Sequence, residues 1–244
     1  MRIAVVSDLH KGSGGGDDDF SGPDRAWAKR YVLFLDHLVH TERAERLVAA
    51  GDNEELWQGR SALVRPLRRL AGIRRQYARI RKYNRDTYEA EERHRVEKLL
   101  GNHDLLVPER RPRVWIAEAD GVRVLVEHGD LADPLNAGDS PAARLGAWAI
   151  GQVERLWADF DDLVYGPSRL LLAHPTRERY VEYAGRRLRE ERCHVVVMGH
   201  THDPMVHDYG DGRTYLNDGS CIDGSFHYAV IDTRTGERRL GLFP

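Results

Sequence analysis

Five short apolar runs, each ending on a turn that carries histidine or aspartate, restrict this chain more than any other feature of its sequence. The runs are Ile3 to Val6, Arg46 to Ala49, Val96 to Leu100, Val122 to Val126 and His194 to Met198. Runs this short and this rich in Val, Ile and Leu read as strands buried on both faces. The turns are Asp8-Leu9-His10, Gly51-Asp52-Asn53, Gly101-Asn102-His103-Asp104, His128-Gly129-Asp130 and Gly199-His200-Thr201-His202. In α/β sheets, ligands bind beyond the carboxyl ends of the strands, so such turns can converge on one site.

The rest of the chain fits that frame. Ala26 to His40 spaces Trp27, Tyr31, Phe34, Leu35 and Leu38 as a helix does, and Arg177 to Glu191 is a charged amphipathic helix leading into the run at His194. Further strands are expected at Met205 to Tyr209, Thr214 to Asn217 and His227 to Asp232. Strands alternating with helices indicate an α/β class. The turn signal Tyr209-Gly210-Asp211-Gly212 between late, closely spaced strands makes part of the sheet antiparallel.

Two stretches interrupt the alternation. Leu63, Leu67, Leu70, Ile73, Tyr77 and Ile80 keep a helical period amid arginines, and Leu145, Trp148, Val153, Leu156 and Phe160 keep another after His128. We read a single domain over residues 1–244 with helical insertions at about 58–94 and 132–170. The arginines of the first insertion would form either a solvated helix face or a basic wall for an anionic substrate.

Composition excludes several classes. A net charge of -2 gives no global pull toward nucleic acid or an anionic membrane. Two cysteines, Cys193 and Cys221, lie far apart without CxxC spacing, which suits a reducing compartment. No stretch approaches the roughly 18 apolar residues of a membrane span, and the N-terminus reads as a strand instead of a signal peptide. The expectation is a cytoplasmic protein with no transmembrane segment.

Seven side chains in the five turns offer oxygen or imidazole donors: Asp8, His10, Asp52, Asn102, His128, His200 and His202. Without thiolates, they suit Mn, Fe, Zn or related divalent ions. One metal with open positions needs only about three or four protein ligands, so seven supply two metals sharing a carboxylate. Asp52 is the natural bridge. Two such ions about 3.5–4 Å apart clamp a phosphate and hold a hydroxide for in-line attack. A lone Asp-x-His or Gly-Asp is usually a turn; Gly-Asn-His-Asp and Gly-His-Thr-His after buried strands have no ordinary packing reason.

These motifs, in this order from Asp8 to His202, resemble the calcineurin-like metallophosphoesterase family. The resemblance implies a four-layered αββα sandwich with mixed sheets. It implies that Asp8, His10, Asp52 and His202 hold a first metal and that Asp52, Asn102, His128 and His200 hold a second. Mn²⁺ is the expected metal, with Fe, Zn, Ni or Co open. His103 would contact the phosphate and protonate the leaving oxygen. Asp104 is a candidate to orient that imidazole, although in the family such an acid more often comes from elsewhere. The implied reaction is hydrolysis of a phosphodiester, phosphomonoester or pyrophosphate bond by a metal-bridging hydroxide, on a nucleotide or sugar-phosphate conjugate.

Within the family, Glu55-Leu56-Trp57 after Gly51-Asp52, His200-Thr201-His202-Asp203-Pro204 and Tyr215-Leu216-Asn217-Asp218-Gly219-Ser220 are similar to UDP-2,3-diacylglucosamine hydrolase of lipid A synthesis. A lipid substrate there would bring peripheral membrane contact. The chain departs from that subgroup at His103, where the subgroup typically has Arg. A metal-free scaffold of the same fold is the non-enzyme alternative, and degraded ligands would be its mark.

Overall fold

The computed structural model describes residues 1–14, 18–56, 66–133 and 177–243. Among these residues, ten strands form two five-stranded mixed sheets. The first sheet contains β1 (Arg2–Val6), β2 (Arg46–Ala49), β3 (Glu97–Lys98), β9 (Phe226–Asp232) and β10 (Arg238–Phe243), in the order β10-β9-β1-β2-β3. The second contains β4 (Val114–Ala119), β5 (Val122–Glu127), β6 (Val195–Met198), β7 (Met205–Asp208) and β8 (Thr214–Asn217), in the order β4-β5-β6-β8-β7. In each sheet three adjacent strands run parallel, β1-β2-β3 and β5-β6-β8, and the other two join antiparallel, β9 and β10 on one side of the first sheet and β4 and β7 on the two edges of the second.

Alternation along β1 shows how the layers are made, because successive strand side chains point to opposite faces. Ile3 and Val5 join Val48, Val124, Val126, Val195 and Val197 in a core between the two sheets. Ala4 and Val6 face the other way and pack with Tyr31, Phe34, Leu35 and Leu38 of helix α1 (Ala26–His40). On the far side, Leu125, Val196, Met198 and Tyr215 pack against Tyr180, Tyr183, Ala184 and Leu188 of the helix Arg177–Glu190, here α4. The strands are apolar on both faces because both faces are covered. The result is a helix–sheet–sheet–helix sandwich, as expected.

Helices α2 (Pro66–Tyr83) and α3 (Arg85–Arg93) fall within the first stretch read as an insertion. The second stretch lies outside the described residues beyond Asp133, as does His174. Three strand expectations need correction. The strand read over Val96 to Leu100 pairs only at Glu97 and Lys98, because it is the sheet edge; Leu100 N–H turns away to the Pro112 carbonyl at 2.9 Å. The strands β4 and β10 were not expected at all. Both are sheet edges, half-exposed along most of their length, so neither shows the uninterrupted Val, Ile and Leu run of a strand buried on both faces, and each is fixed by the ladder of the neighbouring strand.

Candidate metal centre

All five turns lie at the carboxyl ends of the parallel strands, and the backbone pays a local cost to aim them inward. Asp8 (φ 53°), His10 (46°), Asp52 (50°), His200 (68°) and His202 (54°) all adopt left-handed conformations. Each costs about 1–3 kcal/mol for a non-glycine residue and persists only where its surroundings over-determine it. The bonds that do so run between turns: Asp8 N–H to the Gly51 carbonyl (3.2 Å) and His10 N–H to the Asp52 carbonyl (2.9 Å).

Each carboxylate has one oxygen occupied by protein and the other turned to the rings. Asp8 Oδ2 accepts from Ser7 Oγ (2.6 Å) and His200 N–H (2.8 Å). Its Oδ1 stands 3.2 Å from His202 Nε2, 3.8 Å from His10 Nε2 and 4.0 Å from His128 Nε2. Asp52 Oδ1 accepts from His103 N–H at 2.8 Å, while Asp52 Oδ2 lies 3.1 Å from His128 Nε2 and 3.9 Å from His10 Nε2. The Asp52 carboxylate thus reaches both halves of the cluster.

The imidazoles repeat the pattern. His128 Nδ1 donates to the Ala50 carbonyl at 3.0 Å, which fixes its tautomer and turns the lone pair of Nε2 inward. That lone pair faces Asp52 Oδ2, Asn102 Oδ1 (3.1 Å) and His200 Nδ1 (3.2 Å). The opposite nitrogen of His200 lies 3.8 Å from Asp133 Oδ2. His10 Nδ1 donates to Glu55 Oε2 at 3.2 Å, and its buried Nε2 has no hydrogen-bond partner. Lone pairs gathered in a buried space repel unless a cation lies between them. Donor atoms each about 2.1 Å from one ion sit about 3.0–3.4 Å apart, and the contacts around His128 have that separation. The residues therefore fit divalent metal, and among the described residues the donors fall into three candidate groups, Asp8/His10/His202, Asp52/His128/His200 and His10/Glu55/His103.

Electrostatics agree with that geometry. Burial opposes ionisation of Asp8, but the facing His202 and His128 rings outweigh it and hold the carboxyl well below its usual range. Asp52 is lowered likewise: burial is overcome by His128 and His103. Burial disfavours a proton on His128, yet Asp52 and Asp8 raise its pKa to about 10. The site attracts positive charge, and metal and proton compete for it.

His103 sits beside this cluster, its ring 4.7 Å from that of His10 and edge-on to it. The acid that orients it is Glu55, not Asp104. Glu55 Oε2 accepts from His103 Nδ1 at 2.5 Å. Asp104 is committed to the backbone, accepting from Gly101 N–H (2.7 Å) and Asn53 N–H (2.9 Å). The following residue in sequence points back under its own turn, whereas Glu55 is carried across by the backbone after Asp52. Burial disfavours charge on His103, and Glu55 and Asp52 more than offset this, raising its pKa above the ordinary imidazole value. The other described histidines stand apart; His94, for example, pairs with Asp36 at 2.8 Å.

Gly101 is required by this packing. A Cβ there would collide with Asp52 Oδ1 and come within 2.5 Å of the Asp52 backbone nitrogen. Gly101→Ala is expected to destabilise the fold by about 1–3 kcal/mol, as overpacking does, and to lower metal content as Asp52 shifts. Thermal unfolding with metal analysis checks this; an unchanged Tm with full metal loading would refute it.

The family profile of the calcineurin-like phosphoesterase superfamily domain matches residues 1–236. The chain belongs to that family. Its members are metal-dependent phosphoesterases, so the chain is a hydrolase acting on phosphate-containing substrates. Solved structures with a similar course include a predicted phosphoesterase from Streptococcus pneumoniae TIGR4 (14% identity, 100% of this chain and 97% of that one, TM-score 0.43). An archaeal phosphodiesterase shares 13% identity with both chains fully covered and a TM-score of 0.42. Vps29 from Entamoeba histolytica, solved with Zn²⁺, shares 14% identity over 100% and 98% of the two chains, with a TM-score of 0.45. No curated protein matches the chain. Among the described residues, no helix is long and apolar enough to cross a membrane.

Proposed function

We propose that this phosphoesterase works through a dinuclear centre, hydrolysing a phosphodiester, phosphomonoester or pyrophosphate bond. The observation that carries the reading is the inward convergence of lone pairs, with His10 Nε2 buried and unpartnered and Asp52 Oδ2 facing both His10 and His128. Asp8, His10, Asp52 and His202 would hold one ion, and Asp52, Asn102, His128 and His200 the other. Mn²⁺ is the expected metal, and Fe, Zn, Ni or Co are accepted by the same oxygen and nitrogen donors. When bound, two divalent ions supply an acidified water and positive charge for the phosphate oxygens.

The chain's own groups do the rest. His103, with Nδ1 tied to Glu55, presents its Nε2 proton to the leaving oxygen as general acid. Glu55 also accepts from His10, so one carboxylate sets the angle of both rings. Helix α2 packs its inner face on this region, where Gln76 donates to the Glu55 carbonyl at 3.0 Å. Its outer face exposes Arg74, Arg79 and Lys82 to solvent; a nucleotide or sugar-phosphate conjugate as substrate rests on the family resemblance. Both cysteines are buried free thiols, which suits a reducing, cytoplasmic setting.

Metal analysis together with turnover of bis-p-nitrophenyl phosphate in Mn²⁺ tests the reading. Two equivalents of metal and measurable hydrolysis are expected. A chain with neither is the metal-free scaffold. A panel of a phosphomonoester, cyclic nucleotides, a nucleic acid and a UDP-sugar lipid then separates the substrate classes.

A further inference from the structure

Directly behind the ligand turns lies a cluster of six charged side chains: Lys11, Glu54, Glu91 and Asp104, all buried, with Lys98 and Arg111, which are partly buried. Three of the six extend ligand-bearing turns. Lys11 follows His10, Glu54 comes two residues after Asp52, and Asp104 follows His103. Lys11 is fully buried. Its ammonium is paired with Glu91 of α3 and lies 4.5 Å from the Tyr88 ring centroid and 5.9 Å from those of Phe20 and Tyr31. Glu91 also binds Lys98 at 2.5 Å and accepts from Tyr31 Oη at 3.3 Å. Glu54 in turn holds Arg111 at 2.6 Å and the Tyr88 hydroxyl at 2.8 Å.

A buried ammonium enclosed by rings has one place to go, because leaving its carboxylate would strand an uncompensated charge. The side chain therefore acts as a tether from α3 to the backbone of residue 11. That backbone is stitched to the turn of Asp52: Lys11 N–H donates to the Asn53 carbonyl and Glu55 N–H to the Lys11 carbonyl, both at 3.1 Å. One residue earlier stands His10, at φ 46° and with its unpartnered Nε2 directed at Asp8 and Asp52.

We infer that Lys11, anchored on Glu91, is a positioning residue that holds His10 in its metal-binding conformation, so that α3 is part of the scaffold of the centre. The inference rests on the dinuclear reading above. It differs from a general contribution to packing, since Lys98 shares the same carboxylate but extends no ligand turn. Lys11→Met and Lys98→Met each remove one ammonium and leave Glu91 the other ammonium and the Tyr31 hydroxyl, so the two variants differ in which backbone segment loses its tether.

The test is calorimetric titration of Mn²⁺ into metal-free full-length protein, with Tm recorded for each variant. Lys11→Met is expected to weaken one of the two ions by about tenfold or more, the usual effect of losing a group behind a ligand. Lys98→Met should bind both ions as wild type does. Unchanged binding in Lys11→Met, or equal weakening in both variants, overturns the inference. Should Lys11→Met show no cooperative unfolding, Glu91→Asp replaces it, keeping both charges but drawing the tether back by one methylene. The same tenfold loss is then expected, and wild-type affinity would count against the role. Wild-type protein that takes up no Mn²⁺ overturns the dinuclear reading itself and is seen in the reference arm.

Discussion

Asp52→Asn should empty the centre: protein dialysed against Mn²⁺-free buffer should retain less than one ion per chain where wild type retains two. The reason lies in how the carboxylate is held. The His103 N–H requires an acceptor at the position of Oδ1, 2.8 Å away. An asparagine must place its amide oxygen there, which turns the NH₂ group toward His10 Nε2 and His128 Nε2, where Oδ2 now stands. Two hydrogens then point into the space that the donors would share with cations, and the carboxylate proposed as the bridge has lost its charge. Groups behind a ligand already change affinity by about 10–100-fold, so losing the bridge itself should exceed that range for both ions. Turnover should fall with the metal. Elemental analysis of the dialysed variant decides the matter, and two retained ions would rule out Asp52 as the bridge.

Much of this centre is legible in the sequence, for a physical reason. A strand buried on both faces must be apolar throughout, so polar residues at its end stand out. That contrast marks Asp8, Asp52, His128 and His200 without knowledge of the fold. The edge strands β4 and β10 lack the contrast, because half their side chains meet solvent and Arg238 or Glu118 serve there as well as valine. Glu55 was hidden differently. It lies three residues after Asp52 among Asn53, Glu54 and Glu55, where carboxylates read as an ordinary turn. Only the β-bridge between Lys11 and Glu54 shows that this turn is extended and sends alternate acids to opposite sides. Glu54 goes to Arg111 and Glu55 to the histidines. The partner of Lys11 could not be read at all, since Glu91 is eighty residues away and is one acid among Glu89, Glu91 and Glu92, of which it alone is buried.

His103→Ala should lower kcat by about 10²–10⁴-fold, the usual contribution of a general acid, while leaving two metal ions bound. The separation is expected because His103 meets the cluster through its backbone N–H, which alanine retains, and through Glu55, which keeps His10 as a second partner. The size of the loss should depend on the leaving group. p-Nitrophenolate departs without a proton, so an aryl diester gains little from an acid. An alkyl or ribosyl oxygen departs as a strong base and needs the proton in the transition state. The variant should therefore lose the lower end of the range, or less, on bis-p-nitrophenyl phosphate and the upper end on an alkyl diester. Glu55→Gln should show the same dependence in weaker form, because the amide oxygen still accepts from Nδ1 but no longer supports the ring's charge. If His103→Ala loses the same factor on both leaving groups, the ring binds phosphate and does not donate the proton. If it loses metal, it belongs with the ligands.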